Sequence, residues 1–451
     1  MYGIQRILGW IPAFAGMTLF NGLRLCAILS EMTHVVTQAA DTPTLIREAE
    51  ILLSESIWPR LEETCEIAFE RVLGAFATHR VGEEHFASVT GYGHDDLGRA
   101  VTDKVFADVL QAEAAIVRPH FVSGTHAIAV ALNAIVGHGD LLLSVTGRPY
   151  DTLEEVIGIR GESSQSLKAR GVRYEEISVF GEDASISFDL FHPKEALIKE
   201  AKAILIQRSR GYSLRPSLTV DQIGELIAAI RAINPNAIIF VDNCYGEFTC
   251  PNEPCAVGAD LVAGSLIKNP GGGIVPAGED IAGRANLVQA AAEALTCPGI
   301  GPKGGYTFDL SRLILQGLFL APATVKEALK GMTLAAYVFE QQGYKTFPRW
   351  DDARSDIIQV IELGDPDKLV RFCQTIQKAS PINAWVTPIP CEVPGYENDV
   401  VMAGGTFIEG STIELSADGP LRPPYVAYLQ GGLHYTHVKT ALKQVLENLQ
   451  P

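Results

Sequence analysis

The side chains whose type and position most clearly suggest a reaction are a carboxylate and an amine. Each of them comes shortly after an apolar run that predicts a strand. Asp242 directly follows the run Ala237–Val241. Lys268 follows the run Asp260–Ala263 within a glycine-rich segment. The spacing leaves room for one connection and one parallel strand, and parallel sheets bind ligands at the carboxyl ends of their strands. We therefore expect both side chains to face one crevice.

This pair suits pyridoxal phosphate (PLP). An amine in such a place can form an internal Schiff base with the cofactor aldehyde, provided that desolvation and a nearby positive charge lower the pKa of Lys268. Asp242 can pair with the pyridine nitrogen and keep it protonated. Taken singly, a strand-end Asp is a common cap or turn residue, and Lys268 alone would be a solvated loop lysine.

A candidate phosphate seat precedes another predicted helix. Ser123, Gly124 and Thr125 stand directly before the helical run His126–Val136, where backbone N–H groups and hydroxyls can bind an anion. Ser-Gly-Thr is also a common capping sequence. Ser265, three residues before the lysine, is expected to add a hydroxyl to this seat.

Polar residues after two further runs complete the candidate site. Tyr150 follows the run Asp140–Val145 and is expected to stack on the cofactor ring and to act as an acid or base, with an interfacial core aromatic as an equal alternative. After the run Ala203–Ile206 come residues that are expected to contact the cofactor oxygen or the substrate, namely Gln207, Arg208 and Arg210.

The apolar runs alternate with amphipathic stretches such as Thr219–Ile233, which is typical of βαβ units around a buried parallel sheet. The expected class is α/β, with a mainly parallel large domain and a smaller C-terminal α+β domain. Further predicted elements are helices over Thr44–Ala77, to Leu110 after the loop 91–98, over Phe308–Phe339 and over Thr436–Leu449, and strands over Trp385–Ile389 and Thr412–Leu415. The predicted divisions are an extension over 1–40, a helical arm over 41–90, the large domain over 91–310, and a linking helix with the small domain over 311–451.

The composition narrows the kind of protein and the partners that it is expected to bind. The 451 residues carry a formal net charge of −17, which disfavours nucleic acid as a partner. The 8 cysteines lack the density of a secreted scaffold and predict reduced thiols in a cytoplasmic protein. Neither Cys244, Cys250 and Cys255 nor the pair His434 and His437 has convincing metal-ligand spacing, so we expect no metal.

The extension carries the apolar run Ile7–Phe20, interrupted by Pro12. It is too short and interrupted for a membrane span and lacks an obvious signal cleavage site. The stretch Trp10–Thr18 resembles translated intergenic repeats, so we expect translation to start at Met17 or Met32.

The motifs together resemble a known group. Val241–Gly246 is similar to the V-D-N-[TC]-[FY] motif of cystathionine and methionine γ-lyases, and Ser265–Lys268 to their S-x-[TA]-K motif, with Ile267 in the third place. From about Gly91 onward the chain resembles the methionine γ-lyase-like branch of aluminium-resistance proteins. The matching passages are Gly91–Arg99, Ser123–His126, Gly147–Glu155, Gln207–Tyr212 and Asp418–Arg422.

This resemblance implies an aspartate-aminotransferase-like fold (fold type I), and a homo-oligomer, dimer or tetramer, with its active site at the subunit interface. Tyr92 and Arg99 are then candidates to reach the neighbour's cofactor phosphate, with an ordinary surface loop as the alternative. Arg422, in the predicted small domain, is the candidate for the substrate carboxylate, with a structural salt bridge as its alternative.

The expected activity is carbon–sulfur lysis of a sulfur amino acid, by elimination from the β or γ carbon. An aminotransferase or a C–S synthase on the same fold is the first alternative, because one PLP site supports several reactions. A non-catalytic aluminium-resistance protein is the second.

Overall fold

The computed structural model describes residues 41–181, 185–393 and 396–449. The predicted extension and its start sites at Met17 and Met32 lie outside the described residues. The chain falls into two compact units, the first ending at Leu45 and the second running from Ile46 onward. The site described below belongs to the second unit.

Eleven α-helices form within the described residues. They are α1 (Thr42–Ser56), α2 (Trp58–Thr78), α3 (Leu97–Val109), α4 (Gly124–Ile135), α5 (Asp151–Ile157), α6 (Glu195–Glu200), α7 (Val220–Ile233), α8 (Ala285–Leu295), α9 (Ser311–Gln341), α10 (Pro366–Lys378) and α11 (Tyr435–Leu449). The predicted helices at Thr219–Ile233 and Thr436–Leu449 are confirmed to within a residue. The segment Thr44–Ala77, predicted as one helix, forms two helices. The helix is interrupted at Ile57, just before Pro59, because proline cannot donate the backbone hydrogen bond of a helix interior.

A seven-stranded sheet carries the predicted runs. Its strands are β1 (Ala114–Arg118), β2 (Leu141–Ser144), β3 (Arg173–Glu176), β4 (Ala203–Gln207), β5 (Ile238–Asp242), β6 (Leu261–Ser265) and β7 (Glu279–Gly283). The order is β1-β7-β6-β5-β4-β2-β3, and only the pairings of β7 are antiparallel. The prediction of an α/β protein with a mainly parallel sheet is confirmed, and helix-covered faces explain why these strands are continuous apolar runs.

A five-stranded antiparallel sheet follows later in the chain. It contains β8 (Lys345–Phe347), β9 (Ile358–Glu362), β10 (Val400–Ala403), β11 (Ser416–Pro420) and β12 (Val426–Gln430), in the order β10-β11-β12-β9-β8. The domain boundaries given above stay predictions.

Two predicted strands are wrong. The segment Trp385–Ile389 is irregular, since Pro388 and nearby Pro390 cannot donate ladder hydrogen bonds, and the Trp385 side chain lies exposed. The segment Thr412–Leu415 bends, and the strand begins only at Ser416.

Other features of the described chain bear on function only indirectly. All seven of its cysteines are free thiols. No helix in the described ranges combines the length and apolar character that crossing a membrane requires.

Buried carboxyl groups lie directly beneath β6, the strand that leads to Lys268. Asp280 on β7 is paired with Gly264 on β6, and Glu247 approaches the same glycine. A Cβ at Gly264 would stand 2.7 Å from both Asp280 Oδ1 and Glu247 Oε1, so only glycine leaves room for the two acids. Neither of these oxygens has a hydrogen-bond partner. Burial, together with the charges of Glu279 and Glu253, raises the pKa of Asp280 to about 8.

We predict that Asp280→Asn flattens the pH dependence of stability. Between pH 4 and pH 8, folded Asp280 keeps a proton that the unfolded chain loses, so the free energy of unfolding falls as pH rises, by up to about 1.4 kcal/mol per pH unit. Asparagine removes this titration but keeps the shape. Denaturant unfolding from pH 5 to pH 8.5 measures both slopes.

The exposed carboxyl of Asp189 provides the control, because Asp189→Asn should leave the slope unchanged. Glu247 and Glu279 also have raised pKa values, so the slope should shrink rather than vanish. Equal slopes in the wild type and Asp280→Asn would contradict this account.

Candidate active site

Lys268 lies in the loop that follows β6, three residues after the strand ends, and the loop after β5 covers its amine. Its Nζ lies 4.3 Å from the centre of the Tyr245 ring. Asn269 Nδ2 donates to the carbonyl oxygens of Tyr245 (3.0 Å) and Glu247 (2.9 Å), and so fastens the lysine loop to the loop after β5. Tyr245 has a φ of +72°, which is rare for a bulky side chain and persists only where the surroundings enforce it.

The charge environment of Lys268 differs from the expected one. Burial by itself lowers the pKa of this amine, but the acidic groups of Cys244, Tyr245, Tyr150 and Asp242 act in the opposite direction and hold it well above its ordinary value. The predicted lowering of the Lys268 pKa by a nearby positive charge is therefore wrong.

Asp242 is the last residue of β5, the strand next to β6, and is 5% exposed. Its Oδ1 accepts a hydrogen bond from Cys244 N at 3.2 Å. Burial raises the pKa of Asp242, while the positive charge of Lys268 opposes that rise. The two side chains named first from the sequence are thus brought close enough to influence each other's ionisation.

The start of α4 faces the lysine. A Cβ on Gly124 would lie 3.7 Å from Lys268 Nζ and 3.9 Å from Ser265 Cβ, so the absence of a side chain there keeps the space in front of the amine open. Ser123 Oγ caps α4 by accepting from His126 N at 3.2 Å. The buried Ser265 hydroxyl points towards Glu279 without the geometry of a full hydrogen bond.

Tyr150 is held from two sides. Its hydroxyl lies 2.6 Å from Thr125 Oγ1, and its backbone N donates to Gln207 Oε1 at 2.9 Å. Gln207 Nε2 donates to Ser209 O at 2.9 Å, so this amide connects the Tyr150 loop to the loop after β4. Burial first and the charge of Asp242 second raise the pKa of Tyr150, which keeps the phenol protonated.

Arg99 and Arg208 bond to loops of this chain. The Arg99 guanidinium donates to carbonyl oxygens of its own chain at Gly93, Gly305 and Lys303, at 2.5 to 2.9 Å. Arg208 is fully buried, with Nη1 bonded to Asn243 Oδ1 at 2.7 Å and Nη2 to Thr249 Oγ1 at 3.1 Å. Both arginines clamp loops. The expected contacts of Arg99 with a neighbouring subunit and of Arg208 with the cofactor oxygen or substrate stay predictions.

Arg210 and Arg422 lie near one tyrosine. Arg210 is buried, and its Nε and Nη1 have no hydrogen-bond partner. Burial raises the pKa of Tyr428 to about 12, and the charges of Arg210 and Arg422 oppose that rise. Arg422 is exposed, and its charge likewise opposes the rise that burial causes in the pKa of Asp151, the residue after Tyr150. Both guanidinium groups therefore stay candidates for a substrate carboxylate. Tyr92 is 83% exposed and contacts His94.

Sequence reasoning missed a cluster of tyrosines beside the lysine. Tyr212 lies with ring centroids 4.9 Å from Tyr428 and 5.4 Å from Tyr396. Tyr245 packs against the same group, and Asp418 on β11 is next to it. Tyr245, Tyr212 and Asp418 fall inside the matching passages Val241–Gly246, Gln207–Tyr212 and Asp418–Arg422. The sequence signal for this cluster therefore lies in motifs that also contain the arginines and the strand-end Asp242.

The residues present fit PLP. Lys268 offers an amine, Asp242 offers a buried carboxylate on the adjacent strand, and Gly124 leaves a space between them and α4 that a side chain would fill. The hydroxyls of Ser123, Thr125 and Ser265, with the first N–H groups of α4, are the groups that could hold a phosphate. Such a set can bind an amino acid next to an electron-accepting ring.

Comparison with known proteins places the chain in a family. The family model for methionine gamma-lyase matches residues 43–450. The protein YnbB of Bacillus subtilis (strain 168) is 49% identical over 394 residues, covering 87% of this chain and 93% of YnbB.

Solved structures agree with this. A Listeria innocua protein named as a candidate cystathionine beta-lyase involved in aluminum resistance is 45% identical, with a TM-score of 0.88, covering 91% of this chain and all of the other. The pyridoxal-5'-phosphate dependent protein YhfS of Escherichia coli is 16% identical, with a TM-score of 0.57, over 86% of this chain and 97% of YhfS, a likeness that concerns the fold alone. From Pro43 to Gln450, this chain belongs to the methionine gamma-lyase family.

Proposed function

We propose that this protein is a PLP-dependent carbon–sulfur lyase that acts on a sulfur amino acid. The observation that carries the proposal is the pairing of Lys268 and Asp242: a half-buried amine in the loop after β6 and a buried carboxylate at the end of the adjacent parallel strand β5, both next to the space that Gly124 leaves free of a side chain. Family membership and the name of the Listeria relative support the reaction class.

Each polar group has a defined task in this proposal. When bound, PLP supplies an aldehyde that joins to an amine and a ring that accepts electrons from the substrate. Lys268 is the attachment point and the base that takes the proton from the substrate Cα. Asp242 would hold the pyridine nitrogen of the cofactor, and a carboxylate in such a dry site would favour the protonated form of that nitrogen.

The substrate must also be oriented, since the bond that breaks has to stand perpendicular to the ring. A guanidinium that binds the substrate carboxylate does this well because it is planar and can bind two oxygens at once. Arg210 has unpartnered donors and Arg422 is accessible, so these two are the proposed carboxylate ligands.

Tyr150 is the proposed proton carrier at the sulfur. Its phenol is protonated and fixed by Thr125, so it can donate a proton to the leaving thiolate. The overall reaction consumes one water, breaks the C–S bond, and releases a thiol, a 2-oxo acid and ammonia.

We also propose that the enzyme is a homo-oligomer with Tyr92 at the subunit contact. Tyr92 O accepts from Gly305 N, and the exposed Phe308 stands on the same loop as Gly305. Val122, directly before the phosphate seat, is 84% exposed. Exposed apolar side chains that join into one contiguous patch commonly mark a protein contact, which is the arrangement proposed here.

A purely metal-binding role has less support. Within residues 41–181, 185–393 and 396–449, no group of three or more histidine, cysteine or carboxylate side chains could hold a metal ion. The aluminium label of the relative thus stays a property of that protein.

The reaction class is tested with purified, PLP-loaded enzyme. Cystathionine, methionine and cysteine are supplied in turn, and thiol, ammonia and either pyruvate or 2-oxobutyrate are quantified. We expect equal amounts of thiol, ammonia and oxo acid from at least one substrate. Amino transfer to an added oxo acid without thiol release would identify an aminotransferase, and product only with an added nucleophile would identify a synthase. The lyase proposal fails if no substrate yields an oxo acid.

Lys268→Ala is predicted to abolish covalent attachment of the cofactor and to lower activity by at least about 100-fold, because both the attachment point and the base are lost. Borohydride reduction followed by peptide mass spectrometry locates the pyridoxyl group in the wild type. Lys202→Ala, at an exposed position before β4, is the control and should behave as wild type. A pyridoxyl group on another lysine would require a different site.

Asp242→Asn is predicted to lower kcat by about 100-fold or more while the cofactor still binds, since a fixed charge aimed at the reacting system is lost and its shape is kept. Steady-state kinetics and the cofactor absorbance at equal loading measure the two effects separately. Unchanged kcat at full cofactor occupancy would remove Asp242 from the mechanism.

A further inference from the structure

Asp418 lies on β11 and faces the cluster of tyrosines beside Lys268. In the small sheet it is directly opposite Tyr428 of β12, so the two side chains share one face. The neighbouring Gly419 turns to the other face, against Leu369 of α10. Asp418 is thus on the side of the sheet that carries the aromatic cluster.

Among the residues that the structure describes, no lysine, arginine or histidine forms an ion pair with Asp418. Its Oδ2 accepts from Gln430 Nε2 at 3.2 Å, and the Tyr212 phenol lies near the carboxyl. Its Oδ1 is shielded from solvent and has no hydrogen-bond partner. Burial raises the pKa of Asp418 to about 7. Keeping a carboxyl from water without a counter-ion costs free energy, which a bound cation would recover.

Aromatic rings surround this carboxyl. Tyr212 stands between Tyr396 and Tyr428. Burial raises the pKa of all three phenols, and the charge of Asp418 adds to the rise. The faces of tyrosine rings attract cations, and a carboxylate inside a ring of aromatic side chains is suited to an organic ammonium group.

The aromatic cluster adjoins the candidate reaction centre. The Tyr245 ring covers Lys268 Nζ at 4.3 Å, and Tyr245 packs with Tyr212 against the group that contains Tyr428. A substrate held at Lys268 would therefore extend its side chain past Tyr245 and Tyr396 towards Asp418.

We propose that Asp418, with Tyr212, Tyr396 and Tyr428, binds a second ammonium group on the far side of the substrate's sulfur. The preferred substrates are then thioethers that carry an amino acid on both sides of the sulfur, and not short S-alkyl amino acids such as methionine. This inference rests on the proposed lyase function, in which the α-amino group of the substrate would join the cofactor beside Lys268. Only the distal amine is then free to reach Asp418.

The test compares substrates that differ by one amine. L-Cystathionine is set against its monoamine analogues, S-(3-carboxypropyl)-L-cysteine for β-elimination and S-(2-carboxyethyl)-L-homocysteine for γ-elimination, with methionine as the short substrate. Oxo acid release gives kcat/KM for each with wild type, Asp418→Asn and the control Asp399→Asn, an exposed residue just before β10.

We expect wild type to prefer cystathionine over the better analogue by about 10- to 100-fold, the range for a hydrogen bond to a charged group. Asp418→Asn should lose most of that preference through cystathionine alone, whereas Asp399→Asn keeps it. The inference is overturned if Asp418→Asn slows both substrates equally, or if wild type cleaves methionine or an analogue as well as cystathionine. If Asp418→Asn does not fold, the wild-type ratio decides. No oxo acid from any substrate would instead refute the lyase function.

Discussion

The site depends on the electrostatic balance between one half-buried amine and the acidic groups around it. Lys268 would lose its charge in an apolar interior, since burial disfavours the ionised form. Asp242, Tyr150, Tyr245 and Cys244 reverse that tendency. Because three of these groups lie on or just after β5 and the amine follows β6, the register of adjacent strands sets the balance, and a shift of one strand would leave buried charges without partners.

Small residues make this arrangement possible. Gly124 keeps the space in front of the amine open, and Gly264 lets Asp280 and Glu247 approach β6 from beneath. Asn269 supplies the cross-link, since its amide holds the backbone of Tyr245 in a left-handed conformation that would otherwise be unfavourable. The lysine is therefore positioned by its neighbours in sequence as much as by the strand that precedes it.

The sequence was most informative where physics leaves few choices. Strands buried on both faces must be apolar throughout, so β4, β5 and β6 were visible as runs, and the residues after them followed. Arginines were harder, because Arg208 and Arg99 have the same type and spacing as ligand-binding residues, yet bond to their own loops. Whether a guanidinium faces a pocket or a backbone carbonyl depends on tertiary packing that a local pattern does not encode.

The antiparallel sheet was less predictable for a related reason. Its strands cover one side of the aromatic cluster, so they carry polar residues such as Asp418 within otherwise apolar segments. The large sheet leads to Lys268 and Asp242, the proposed contacts of the cofactor, whereas Asp418 and Tyr428 come from the small sheet and Arg422 from the turn that joins two of its strands. In the proposed function, the groups that carry out the reaction and the groups that select the substrate therefore lie on different sheets. A change in β11 or β12 would then alter the preferred substrate while Lys268 and Asp242 stay in place.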